Sequence, residues 1–135
     1  MNAKAHGWEI DEAVKEKSEE LVHQAEDVAS RIAGALQASG REFAKSQLRH
    51  LLAIMDRERN LAPVRLWMRY QDARSRRRDK GSDWQQTRPF LEDLLDYCTK
   101  SFPQDPEKGR HCARVGVGYL IQALLFETVK SGRQS

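Results

Sequence analysis

The chain has 135 residues and a mass of 15.6 kDa, which suits one compact domain and excludes a second core of ordinary size. Hydrophobic residues make up 39% and charged residues 32%, so the composition argues against global disorder and predicts an all-α, single-domain bundle. The net charge of +3 is uneven, because residues 41–88 hold 13 basic and 6 acidic residues whereas residues 1–40 hold 4 and 8. A phosphate-bearing partner is therefore expected for the middle of the chain.

The first predicted helix is amphipathic and acidic and lies within residues 1–40. Its apolar positions recur every three, four or seven residues, which predicts one continuous helix from about Asp11 to Ala38, ended by Gly40. A second helix follows Phe43, with Ser46 as a possible N-cap. Two groups of residues lie on opposite sides of that helix: the apolar Leu48, Leu51, Leu52 and Met55, and the outward-facing Arg49, His50, Ala53 and Arg57.

The third and fourth helices are bounded by prolines and glycines. Pro63 suits the first turn of the third helix, which extends to about Lys80 and ends at the following glycine. Residues 82–83 can cap the fourth helix. Pro89, however, is typical of a first helical turn, and a start at Pro89 would leave Trp84 in a loop.

The fifth helix is predicted to begin at Pro106, with Asp105 as its N-cap, and brings the expected number of helices to about five. It is apolar nearly all round, which is typical of a helix buried in the centre of a bundle or by another subunit. Its longest apolar stretch is far shorter than the roughly 20 residues that span a bilayer. The N-terminal residues show no apolar leader segment, so a cytoplasmic protein without a membrane partner is expected.

No cluster of residues in the sequence predicts catalysis, a cofactor or a metal site. His111 and Cys112 are adjacent soft donors, but their spacing does not form a tetrahedral site on a helix, and no paired-ligand motif, phosphate loop or nucleophile motif is present. Cys98 and Cys112 form no CxxC pair and are interpreted as packing residues. Three acidic residues of the fourth helix are interpreted as solvated charge: Glu92, Asp93 and Asp96.

Arginines are densest in the third helix. On a helical wheel Arg65, Arg69 and Arg76 lie within about 40° of one another. Four residues lie about 110° away on average and are expected to form the packing side: Leu66, Trp67, Tyr70 and Ala73. Guanidinium groups suit phosphate because they donate two parallel hydrogen bonds. The cluster, with its neighbours Arg74, Arg77 and Arg78, therefore predicts a phosphate-binding face, and the alternative is a solvated face that keeps the protein in solution.

Two segments resemble a known family when they are taken together. Residues 45–52 read Lys-Ser-Gln-Leu-Arg-His-Leu-Leu, and residues 70–74 read Tyr-Gln-Asp-Ala-Arg. Their order and spacing are similar to those of the small helical subunit of type III CRISPR effector complexes, the III-A type in particular. The resemblance covers residues 41–130, including an aromatic-containing apolar last helix, although Gln122 stands where the family often has an acidic residue.

This resemblance implies a non-catalytic subunit of an antiviral complex. Several copies would stack along a guide RNA and its target RNA, beside the other subunits, and cleavage would belong to those neighbours. By matching position, the residues implied to face nucleic acid or define the fold are Lys45, Gln47, Arg49 and Arg74. Arg74 has an alternative role as the partner of a carboxylate at the core edge, and Arg57 is a further candidate for RNA contact.

Two other classes of protein remain compatible with the sequence. One is a helical adaptor whose basic face binds an acidic protein, which would show a shallower salt dependence than an RNA-binding protein. The other is a small helical enzyme, which would require a turnover that a single acidic or histidine substitution abolishes.

Overall fold

The structure is a computed structural model that describes residues 3–39, 45–78 and 83–132. Side chains are described in these ranges except at 3–7, 37–39, 45–46, 75–78, 83, 128 and 130–132. The described chain is helical and contains no strand, which confirms the all-α prediction. Six helices are present in it, one more than predicted: α1 (Ala3–Lys15), α2 (Ser18–Ser39), α3 (Lys45–Arg57), α4 (Ala62–Arg78), α5 (Asp83–Ser101) and α6 (Pro106–Gly132).

The additional helix arises because the acidic N-terminal segment is broken near Lys17. The Lys17 amide donates to the carbonyl of Val14 at 3.0 Å, a tight turn of the kind that ends a helix, and α2 then begins at Ser18. The prediction of one continuous helix from Asp11 was therefore wrong. No glycine or proline marks this break, and the predicted stop at Gly40 lies outside the described residues.

Two other helix starts differ from the predictions. α3 begins at Lys45, so Ser46 lies inside the helix and is not its N-cap. α5 begins at Asp83, which places Pro89 in the helix interior and Trp84 in the first turn rather than in a loop. A proline lacks the amide that would complete the helical hydrogen bonds, but Trp84 is only 2% exposed, and its burial holds the first turn in place. The predicted end of the third helix at Lys80 and the possible cap at Ser82 lie outside the described residues.

Other helix ends agree with the sequence. The Lys108 amide donates to the Asp105 carboxylate at 3.1 Å, which confirms Asp105 as the N-cap of α6, with Pro106 as its first residue. The Ala62 amide donates to the Asn60 side chain at 3.0 Å, and Pro63 lies in the first turn of α4. The Asp105 cap and the position of Pro63 are local features, which explains why the sequence predicts them.

α6 is the central helix of the bundle, as its apolar surface predicts. It packs against α1, α2, α3 and α5, while α4 packs on the outer side of α5. A Cβ placed on Gly116 would lie 3.0 Å from Leu21 Cδ1 of α2, so this glycine permits the close approach of two core helices. Cys98 and Cys112 are free and buried in the core, in agreement with a packing role. The last turns of α6 leave Leu125, Phe126 and Val129 exposed.

A short polar contact joins α1 to α6. The Asp11 carboxylate lies 3.1 Å from Lys15 Nζ on its own helix and 3.2 Å from His111 Nε2 on α6. The hydrogen bond with Lys15, followed by that with His111, lowers the pKa of Asp11 below its ordinary value of 3.8. The ionised carboxylate therefore stabilises the folded state above pH 3.8, and this contribution is lost as the pH falls through the lowered pKa.

We expect Asp11→Asn to be less stable than the native chain at neutral pH, and the difference to vanish in acid. The measurement is chemical denaturation of both proteins over a series of pH values. Glu9→Gln, which removes an exposed acidic residue from the same helix, is the control and should unfold like the native chain. A difference between Asp11→Asn and the native chain that persists unchanged at the lowest pH would contradict the assignment.

Candidate nucleic-acid interface

The orientation of α4 decides which of its arginines can meet a ligand. Its buried side consists of Leu61, just before the helix, then Val64, Met68 and Asp72. Of the predicted packing side, Leu66 and Tyr70 are 67% and 59% exposed and Ala73 is exposed as well. Trp67 alone of the four packs against the core. The prediction failed because the buried residues of α4, which are spaced three or four apart, include Asp72. A helical wheel expects an apolar side chain at such a position, not a carboxylate.

Asp72 is buried because α5 supplies a cation for it. Its side chain accepts a hydrogen bond of 2.6 Å from Arg88 Nε and is 3% exposed. The Arg88 guanidinium also donates to Glu92 at 2.6 Å, one turn along α5. The hydrogen bond with Asp72 is the largest cause of the raised pKa of Arg88. A buried carboxylate with such a partner fixes the rotation of α4 against α5.

Arg65 belongs to the same ion-pair cluster and is not a free phosphate ligand. Its guanidinium lies 3.2 Å from Glu92 and 2.7 Å from Asp96, and its side chain is 20% exposed. The prediction that Arg65 is an open phosphate-binding residue is therefore corrected. The interpretation of Glu92 as solvated charge is corrected as well, because its side chain is only 17% exposed and pairs with Arg65 and Arg88. Asp96 pairs with Arg65 but keeps a side chain that is 52% exposed.

The other arginines of α4 have different surroundings. Arg69 is exposed, with one guanidinium nitrogen 3.8 Å from Glu92. Arg74 is exposed and pairs with no described carboxylate, so none of the described residues is the core-edge partner that was its predicted alternative. Four further candidates have a helical backbone, but their side chains lie outside the described part of the structure: Lys45, Arg76, Arg77 and Arg78.

On α3 the predicted pattern is confirmed. Leu48, Leu51 and Met55 are buried. Arg49 and Arg57 are exposed on the other side, and neither forms an ion pair with a described residue. Together with Arg74, they are candidate phosphate ligands whose charges no described carboxylate neutralises.

Trp84 connects α3 and α4, the two helices that contain the segments resembling the CRISPR small subunit. Its indole Nε1 donates to Gln47 Oε1 of α3 at 3.1 Å, and its ring packs edge-on against Trp67 of α4 at a centroid distance of 5.4 Å. Gln47 therefore has a fold-defining contact in this structure. The first turn of α5 thus links α3, which carries Arg49, to α4, which carries Arg74.

Sequence reasoning missed Trp84 and Arg88, the residues that position these helices. Trp84 was placed in a possible loop because of Pro89. Arg88 was not singled out, although a signal for it existed: Asp72 continues the spacing of Val64 and Met68, and a carboxylate in an apolar line requires a cation on the helix that covers it.

The described residues contain no group of three or more histidine, cysteine, aspartate or glutamate side chains that could hold a metal ion. Within the same part of the chain, no helix is long and apolar enough to cross a membrane. Comparison of the chain with protein-family models, curated proteins and solved structures finds no match. The functional assignment therefore depends on the residues and their geometry.

Proposed function

We propose that this chain is a non-catalytic helical subunit that binds the backbone of RNA. The observation that supports the proposal most directly is the set of three exposed arginines, Arg49, Arg57 and Arg74, none of which forms an ion pair with a described residue. A guanidinium without a protein anion is free to donate a pair of hydrogen bonds to phosphate oxygens. Such contacts attach a protein to nucleic acid without reading its sequence.

The charge distribution supports a polyanion as the partner. The segment 41–88 has a net charge of +7, from 13 basic and 6 acidic residues, and it contains α3, α4 and the first turn of α5. Part of this charge is internally neutralised, since Arg65 and Arg88 pair with Asp72, Glu92 and Asp96. Exposed arginines without an ion pair to a described residue remain on both helices that contact Trp84: Arg49 and Arg57 on α3, and Arg74 on α4.

The resemblance of residues 45–52 and 70–74 makes the proposal more specific. In a complex like the type III CRISPR effectors, the partners of this chain are a guide RNA, a target RNA, the other subunits and further copies of itself. In support of this reading, Trp84 joins the helices that carry the two segments, through Gln47 within the first and Trp67, which lies three residues before the second. In this proposal, RNA cleavage is performed by the neighbouring subunits.

We expect the triple variant Arg49→Gln, Arg57→Gln and Arg74→Gln to bind RNA more weakly at every sequence while its melting temperature stays nearly unchanged. Exposed substitutions usually alter the free energy of unfolding by no more than about 0.5 kcal/mol. The slope of log affinity against log salt should become shallower by roughly 0.7 to 0.9 for each phosphate group that the variant no longer binds. Fluorescence anisotropy with two unrelated RNA sequences, titrated at several salt concentrations, measures both effects.

The control is a second triple variant with the same decrease in charge, in which exposed cations that form ion pairs elsewhere are replaced: Lys15→Gln, Arg31→Gln and Arg114→Gln. It should retain most of the salt dependence of the native chain. Equal effects of the two triple variants would show that net charge alone governs binding. If the native chain binds an acidic protein with high affinity but no RNA, the helical adaptor is the correct class.

A further inference from the structure

The outward side of α4 carries a stripe of three residues, Leu66, Tyr70 and Arg74, spaced four residues apart. In a helix this spacing turns each residue only about 40° from the previous one, so the three lie along one line. All three are exposed, and the line lies away from the buried side that contains Val64 and Met68. We call these three residues the outer stripe.

The outer stripe combines an aromatic ring with positive charge. α4 contains six arginines and one acidic residue, Asp72, which is buried beneath Arg88 on the opposite side of the helix. Arg74 follows Tyr70 by one turn on the same side of the helix and forms no ion pair with any residue whose side chain is described. No negative charge of α4 therefore competes for a ligand at the Tyr70 ring.

The two aromatic rings of α4 have different surroundings. Trp67 packs edge-on against the buried Trp84, so it is part of the bundle. Tyr70 is 59% exposed. An exposed ring that lies one helical turn from an exposed arginine on the same side of the helix is suited to a ligand that has both a flat face and a negative charge, as a nucleotide does.

We propose that the outer stripe binds unpaired nucleotides, with the Tyr70 ring stacked on a base and Arg74 bound to a neighbouring phosphate. Arg74 lies about 6 Å along the helix from Tyr70, a distance compatible with the span between a base and an adjacent phosphate. A single strand is the form of RNA that fits, because bases in a duplex are stacked on one another and present no free face. This inference rests on the proposed RNA-binding function. It adds that the bound RNA is single-stranded and that Tyr70 recognises its bases.

The test compares two ligands of equal length and charge. One is a 15-nucleotide strand of oligo(A), and the other is an abasic ribose-phosphate strand of the same length. The full chain and its Tyr70→Leu variant are titrated with each ligand by competition against a labelled RNA. We expect Tyr70→Leu to weaken binding of oligo(A) roughly tenfold, within the range known for removal of one aromatic–base stack. Binding of the abasic strand should change less than about twofold.

Matched variants separate stacking from other effects. Tyr70→Phe keeps the ring and should bind oligo(A) like the native chain. Phe126→Leu removes an exposed aromatic residue from α6 and should also bind normally. Arg74→Gln should weaken both ligands, because each contains the phosphate. Circular dichroism spectra and melting temperatures of the variants should match those of the native chain.

The outcomes distinguish this inference from the proposed function. Binding of oligo(A) by Tyr70→Leu with native affinity would overturn the stacking role while leaving the backbone-binding function intact. If Tyr70→Leu weakened binding of oligo(A) and of the abasic strand equally, the stacking role would also be overturned, since the effect of the ring would then not depend on a base. If the native chain binds neither ligand, and binds an acidic protein through the outer stripe instead, both the inference and the proposed function fail.

Discussion

Replacing Trp84 with alanine is expected to lower the free energy of unfolding by about 3 to 5 kcal/mol, the range typical of a large aromatic side chain removed from a core. Trp84 is 2% exposed and contacts two other helices, through its hydrogen bond to Gln47 and its edge-on packing against Trp67. The variant leaves a cavity and an unpaired amide oxygen on Gln47 at the same place. Denaturant unfolding followed by circular dichroism measures the decrease.

Two further variants test this explanation. Trp84→Phe keeps an aromatic ring against Trp67 but removes the indole donor, so its destabilisation should be clearly smaller than that of the alanine variant. Trp8→Ala removes an indole that is exposed on α1 and should change the free energy of unfolding by no more than about 0.5 kcal/mol. A destabilisation at Trp84 as small as that at Trp8 would show that the first turn of α5 is not part of the core.

The second large effect is expected at Asp72. Asp72→Ala should lower the free energy of unfolding by about 3 kcal/mol, because it removes the buried one of the two carboxylates that pair with the Arg88 guanidinium at the α4–α5 interface. The value lies at the low end of the range for buried ion pairs, since the Arg88 side chain is partly exposed and retains Glu92. Thermal and denaturant unfolding of the purified variant measure it.

Asp93→Ala is the matched control for Asp72→Ala. It also removes an aspartate that pairs with an arginine on another helix, here Arg31 of α2 at 3.8 Å, but both partners are exposed, so the expected destabilisation is below about 1 kcal/mol. The double variant Asp72→Leu with Arg88→Met should recover much of the stability that Asp72→Ala removes. Equal destabilisation at Asp72 and Asp93 would contradict the assignment of Asp72 as a buried anchor of α4.

The candidate site could be predicted in part. Arg49 and Arg57 were placed correctly on the outward side of α3, because the apolar line through Leu48, Leu51 and Met55 leaves them no other direction. Arg65 was placed wrongly. Its spacing relative to Arg69 is visible in the sequence, but its partners Glu92 and Asp96 come from another helix, and no local pattern indicates which helix packs beside α4.

The sequence by itself determined the features that depend on short-range periodicity and capping. These are the helical class, the buried face of α3, the central position of the apolar α6 and its cap at Asp105. Each follows from residues within a few turns of one another, where backbone geometry sets which side chains share a face.

Only the tertiary structure decided the break near Lys17, the burial of Trp84 and the rotation of α4. For α4 the physical reason is specific. A helical wheel ranks Leu66 and Tyr70 as core residues by their apolar area, whereas the fold buries Asp72. Burial of that carboxylate becomes favourable only when Arg88 of α5 lies 2.6 Å away, a contact between residues on different helices.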